Sequence, residues 1–340
     1  MLIHSSFEYE LNNGVSVFSG WNAPIYHTID YVFVKNICQT AVPIFFIFAG
    51  FLFFIGVERF DFSTYKLKIK RRVTSLLVPY IIWNTLILIM YILVQHFMPS
   101  MVTGRNKSIS DYTVQDYVYS FWSMGLINNG GINGPIDSPL WFVRDLMVIS
   151  LLSPVIFILC RYFKILYPIA CITALILGLI TGIQGLSTTA ICYFSIGAFF
   201  GIFKIDFSKF FLNLLPLAIP IYLITLVYLA ITRPIQSSLM NLNIMVGIIM
   251  LIGITRFFVE IKGVHDIPFL TESIFFIYAS HSEILKVAIR ITSKMGIQND
   301  IFYCIAYFAC PCITLIMLLG IYWLLKKHAP NLTTILSGGR

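Results

Sequence analysis

Apolar residues in this chain fall into long unbroken blocks separated by short polar stretches, without the alternation of half-buried strands. The blocks run over about 37–57, 74–97, 140–160, 165–184, 188–203, 211–231, 241–259, 268–289 and 299–325. Crossing about 30 Å of hydrocarbon takes about 20 residues at 1.5 Å rise per residue, and most of the blocks reach that length. A membrane-spanning strand would instead show about ten residues of alternating polarity. The pattern therefore predicts an all-α fold: a polytopic transmembrane helix bundle of about nine spans, forming one integral-membrane domain over 1–340.

Composition removes the alternatives to a membrane protein. Apolar and aromatic residues make up 58% and charged residues 11%, against about 45–50% and about 25% in soluble domains, and mean hydropathy is +0.87. The net charge of +8 does not indicate nucleic acid, which requires basic residues gathered on one exposed face. Here they punctuate the ends of the apolar blocks. Placing block ends alternately on two sides puts fifteen of the 23 Lys and Arg on one side, Arg340 among them, and eight, including Arg105, on the other. By the positive-inside rule the richer side and the C-terminus are cytoplasmic. The seven cysteines show no paired metal-ligand spacing and read as packing residues, so no metal is expected.

An odd number of spans places the N-terminus outside. MLIHSSFEYE has only a three-residue apolar stub before His4, with no basic region and no cleavage site, so it is not a signal peptide. How such a terminus crosses a membrane is explained if a first helix is missing from this sequence. Two outward stretches, 9–36 and 98–139, read as loops. The second contains GLINNGGINGPIDSP, and is either a hydrated connector or part of a substrate site.

Ionisable groups at membrane depth are costly and tend to face a cavity. His4 is either a solvated terminal residue or a general base, since imidazole can take a proton from an attacking hydroxyl near neutral pH. His281, in the middle of the eighth block, either makes a structural hydrogen bond or joins the chemistry. Tyr278, three positions earlier, shares its helical face, whereas Glu283 points elsewhere. Arg71 and Arg72 end the run KLKIKRR and open the second block. They either anchor the span or present a planar fork to a phosphate such as that of coenzyme A. Pro79 should loosen the helix beyond them. The Ala49-Gly50 pair suits close helix contact.

Taken in order, LIHSS around His4, AVPIFFIFAGFLF (41–53), YKLKIKRRVTSLLVPYIIWN (65–84), SPLWFVRDLMVISLLSP (138–154), YFSIGAFFG (193–201) and SIFFIYASHSEIL (273–285) resemble successive motifs of the membrane-bound acyltransferase-3 family. Within it they are most similar to the branch that includes enterobacterial-common-antigen O-acetyltransferases. The family pattern has ten helices and an Arg-containing segment ahead of the histidine, which matches the expectation of a missing first helix. This chain departs from the pattern at Ala49, where serine is common, at Ser282, where proline is common, and at Leu76, where the lipopolysaccharide branch has arginine.

The resemblance implies transfer of an acyl group, most often acetyl, to a sugar hydroxyl at the outer face of the bacterial cytoplasmic membrane. The donor substrate would be cytoplasmic acetyl-CoA or another acyl-CoA, with no bound cofactor. The acceptor would be a cell-envelope or exported glycan, or a lipid-linked sugar; membrane lipids are the other partners. His4 would be the general base or a transient acyl carrier, Arg71 and Arg72 the donor-phosphate contacts, and Trp141, Arg144, Tyr278 and His281 pocket residues. A transporter or flippase of a lipid-linked sugar, and an inactive relative, are the competing readings. A proton-coupled transporter would bury several carboxylates, whereas most acidic residues here lie at block ends or in loops.

Overall fold

The computed structural model describes residues 1–8, 10–12, 15–97, 107–127, 133–179, 181–234 and 237–339. They form α1 (Pro24–Lys35), α2 (Ala41–Phe54), α3 (Phe62–Arg72), α4 (Val78–Phe97), α5 (Val114–Ser120), α6 (Trp141–Leu151), α7 (Ser153–Phe163), α8 (Leu166–Leu177), α9 (Thr188–Ile202), α10 (Phe207–Thr232), α11 (Ser238–Arg256), α12 (Pro268–Lys294), α13 (Asp300–His328) and α14 (Pro330–Leu336). Among the described residues the one strand pair joins Leu11–Asn12 to Val15–Ser16 ahead of α1, so the class is all-α.

Five stretches are long and apolar enough to cross a membrane: Pro24–Phe54, Phe62–Phe97, Phe207–Thr232, Ser238–Glu260 and Asp300–His328. A sixth arises if Ser138–Leu151 and Ser153–Phe163, bent by 64° at their junction, act as one span. The pattern predicts about nine spans, and every apolar block contains a helix, but three helices fall short of the physical requirement. α8 and α9 have 12 and 15 residues, about 18 and 22 Å of helix. α12 has 27 residues but carries Glu272, Glu283, Lys286, Arg290 and Lys294. α9 is almost wholly buried, so it meets protein where a lipid-facing span would meet hydrocarbon.

Two stretches expected to be loops are largely folded. Residues 24–35 form α1 because Asp300, the first residue of α13, accepts hydrogen bonds from the Ile25 and Tyr26 N–H groups at 2.9 and 2.7 Å. A partner so distant in sequence supplies the cap that the first turn of a helix requires. Within 98–139, residues 98–106 (including Arg105) and 128–132 lie outside the described residues, as does Arg340. The described remainder is a cap on the bundle. Thr113 and Asp116 form a capping box on α5, and the Ile136 and Met124 N–H groups donate to Ser120 and Gly134 carbonyls, both at 2.7 Å.

The tightest helix pair is α2 against α9. A methyl group on Gly50 would overlap the Phe194 carbonyl oxygen, and one on Gly197 would overlap that of Ile47. Only glycine lets the two backbones approach so closely. Ahead of Pro79, which has no N–H to donate, the helix changes to a π turn over Val73–Leu77. This joins α3 to α4 and turns Ser75 toward the interior space described next.

Candidate functional site

A cavity of about 870 Å³ runs through the bundle. Its long wall is α2, where Ala41, Phe45, Phe48 and Leu52 share one helical face and all line the space. That stripe advances about 16 Å along the helix, roughly half the hydrocarbon thickness. The opposite walls come from α6, the end of α8, the start of α9 with Thr188 and Thr189, and α11 with Asn241. Asn241 is fixed by donating its amide hydrogen to the Leu175 carbonyl at 2.8 Å, which joins α11 to α8.

One end of the cavity is basic. Arg72 lines it together with Ser75 and Leu76. Its guanidinium lies 5.6 Å from the centre of the Phe53 ring, and the Lys68 ammonium is 5.2 Å from the same ring. Electrostatic attraction to the ring face holds both cations near the mouth. Arg71, one residue earlier and so about 100° around the helix, is exposed and is not among the lining residues. The structure thus separates the two arginines that the sequence treats as a pair.

The other end carries His4, Trp141, Tyr278 and His281. His281 lies near the middle of α12, with Nδ1 2.7 Å from the Tyr278 carbonyl oxygen. Only an N–H can satisfy a carbonyl, so Nδ1 bears the proton and Nε2 keeps a lone pair. That Nε2 is buried without a hydrogen-bond partner among the described residues. The Tyr278 hydroxyl donates to the Pro139 carbonyl and ties α12 to the start of α6. His4 ends the short turn Leu2–His4, exposes its ring to the cavity, and has its ring centroid 5.4 Å from that of His281. The turn is held by the Tyr307 hydroxyl, which donates to the Leu2 carbonyl at 3.0 Å.

Arg144 lies outside the cavity and is 2% exposed. It donates through Nε and Nη2 to Asp145 Oδ1 at 3.0 and 2.8 Å, and through Nη1 to the Trp122 carbonyl. The other Asp145 oxygen accepts the Ser187 N–H at 2.8 Å. This pair fastens the cap to α6 and to the start of α9.

Asp137 is a further buried acid, one that the apolar and polar pattern does not single out. It is completely buried beside Pro139, its N–H donates to Asn84 Oδ1 at 3.1 Å, and neither carboxyl oxygen has a hydrogen-bond partner among the described residues. Burial, reinforced by Glu283 and opposed by Lys286, pushes its pKa up to about 8. Its only signal in the sequence is an aspartate in a polar, glycine-rich stretch, which reads equally well as solvated loop. Glu283 itself is held by the Tyr91 hydroxyl at 2.9 Å and by Lys286 at 2.6 Å.

The cavity therefore joins a guanidinium at one end to two imidazoles at the other through a wall of aromatic and aliphatic side chains. Such a space suits a long tethered molecule with an anionic head and a reactive far end. The acyltransferase domain of the acyltransferase-3 family matches residues 1–326 of the chain. The succinoglycan biosynthesis protein ExoH of Rhizobium meliloti (strain 1021) is 23% identical over 314 residues, covering 90% of this chain and 80% of that protein. No solved structure matches the chain significantly.

Proposed function

The chain belongs to the membrane-bound acyltransferase-3 family, and from that premise we propose that it moves an acetyl group from cytoplasmic acetyl-CoA to a hydroxyl of a cell-envelope or exported glycan. The observation that carries this reading is one continuous cavity lined at one end by Arg72 and at the other by His4 and His281. A guanidinium suits the pyrophosphate of coenzyme A. The pantetheine arm is a flexible, largely apolar tether with the thioester at its tip, and the α2 stripe gives it an apolar path toward the histidines.

His4 then takes the proton of the acceptor hydroxyl as its oxygen attacks the thioester carbonyl. The tetrahedral intermediate collapses, the carbon–sulfur bond breaks, and the thiolate takes that proton from His4. An O-acetyl ester and free coenzyme A result. The lone pair on His281 Nε2 accepts a hydrogen bond from the His4 N–H and so orients the base toward the reacting hydroxyl. The basic run KLKIKRR ahead of α4 and the Lys326-Lys327 pair at the end of α13 support a cytoplasmic basic end, a cytoplasmic C-terminus and a place in the cytoplasmic membrane. The relative's name concerns succinoglycan, and the sequence motifs resemble enzymes of another polysaccharide, so the acceptor is proposed at the level the two share. Mass spectrometry of envelope glycans from cells with and without the gene tests this. An acetyl-sized difference in one glycan is expected, and identical acylation of every fraction overturns the reading.

A further inference from the structure

A second pocket, of about 380 Å³, opens where the turn after α2 meets α7, on the same basic end of the bundle as Arg72. Its floor is aromatic. The Phe60 ring centre lies 5.0 Å from that of Phe157 and 5.1 Å from that of Phe54, and Phe54 and Phe157 are stacked at 6.0 Å. Two guanidinium groups, Arg59 and Arg161, stand at its edge. Both are exposed, and neither makes an ion pair or hydrogen bond among the described residues.

The pocket adjoins the main cavity across one ring. Phe53 lies under the Arg72 guanidinium, and its centre is 6.3 Å from that of Phe60. One ring thus separates the second pocket from the Arg72 end of the main cavity. Two carboxylates also border it. Asp61 is committed to capping α3, accepting the Thr64 N–H and the Ser63 hydroxyl at 2.8 Å each, which leaves Glu58 as the uncommitted negative charge.

We propose that this pocket holds the nucleotide end of the acyl-CoA donor, with the adenine on the Phe60 and Phe157 rings and the ribose 3′-phosphate between Arg59 and Arg161. This rests on the acyl-CoA reading above and extends it to a specific site. Aromatic faces hold purines by stacking, and arginine forks bind terminal phosphates through paired charge-assisted hydrogen bonds. The volume lies in the lower part of the range of about 300–1,000 Å³ seen for ligand pockets, which suits a nucleoside phosphate and is too small for the whole coenzyme.

The test uses the purified full chain in phosphatidylcholine nanodiscs, titrated with acetyl-CoA and with 3′-dephospho-acetyl-CoA. Wild type is expected to bind acetyl-CoA about tenfold more tightly, as the loss of one charge-assisted contact implies. The double variant Arg59→Gln/Arg161→Gln should bind both equally, and Glu58→Gln should tighten acetyl-CoA alone. Adenosine 3′,5′-bisphosphate should compete with acetyl-CoA on wild type and not on the double variant. A wild-type protein that binds both donors equally, or a double variant that keeps the preference, overturns the pocket assignment while leaving the acyl-CoA reading intact. Competition by phosphatidylglycerol with no effect of the 3′-phosphate assigns the arginines to lipid headgroups and overturns it too. If wild type binds neither donor, the acyl-CoA reading and this site fall together. All these substitutions are of exposed side chains, and an unchanged size-exclusion profile checks the fold.

Discussion

His4 and His281 bring their ring centroids to 5.4 Å, with the planes tilted by 48°, although 277 positions separate them. One imidazole is exposed to the cavity and the other is anchored through Nδ1 to the Tyr278 carbonyl. The first has the freedom of access that proton transfer needs, and the second has the fixed orientation that positioning needs.

His4→Ala is therefore expected to lower the acetyl-transfer rate by about 10²–10⁴-fold, the usual contribution of a general base, with donor affinity unchanged. His281→Ala, which removes an orienting lone pair, should lower the rate by about tenfold. Transfer assays in membranes, together with acetyl-CoA binding, check both. A His4→Ala protein with full activity removes the proposed base.

Arg72 lines the cavity and Arg71 does not. Arg72→Gln should weaken acetyl-CoA binding by about 10–100-fold, in keeping with the loss of hydrogen bonds to a charged group, while Arg71→Gln should change it less than threefold, as a screened surface charge does. Equal losses in the two variants would show that the cavity does not select between them.

The close approach of α2 and α9 predicts opposite outcomes for two glycine substitutions. Gly197→Ala forces a methyl against the Ile47 carbonyl and should cost about 1–3 kcal/mol. Gly320→Ala in α13 meets nothing within 4 Å and should stabilise by about 0.5–1 kcal/mol through helix propensity. Thermal melts in detergent measure both, and a Gly197→Ala protein as stable as wild type would mean that the backbones can separate.

Asp137 sets a pH dependence. Its folded pKa of about 8 stands above the ordinary carboxyl value of 3.8, so between those values the folded chain holds a proton that the unfolded chain has released. Stability then falls as pH rises, by at most about 1.4 kcal/mol per unit, and levels off above pH 8. In Asp137→Asn that contribution is absent. The variant should melt higher than wild type at pH 8.5, with the gap closing toward pH 5. Parallel melting curves across that range would contradict the assignment.

Arg144→Leu leaves the buried Asp145 without its cation and should cost about 3–5 kcal/mol. The double variant Arg144→Leu/Asp145→Leu should recover part of that loss, because no lone buried charge remains. Donor affinity of the surviving folded protein should stay at the wild-type value, since neither residue lines the cavity. A large rise in the donor KM would instead place Arg144 in the pocket.

Hydropathy is enough to make the chain a helical membrane protein, because apolar length and the scarcity of charge act residue by residue and need no tertiary partner. The six ordered motifs likewise pointed to the family, and the histidines and the arginine that line the main cavity could be named from sequence. What the one-dimensional pattern could not separate were alternatives that depend on direction or on distant partners. Arg71 and Arg72 are adjacent and chemically identical, and only the helical phase set by packing puts one on the cavity and the other outside. Arg144 reads as a pocket residue until Asp145 and the Trp122 carbonyl are seen to hold it elsewhere. α1 reads as a loop until Asp300 caps it. Nine apolar blocks read as nine spans, yet α8 and α9 are too short and α12 too charged, and α9 is buried against neighbouring helices where a lipid-facing span would meet hydrocarbon. Asp137 was invisible as a buried acid because burial is a property of what surrounds a residue, and its surroundings come from α4, α12 and the cap.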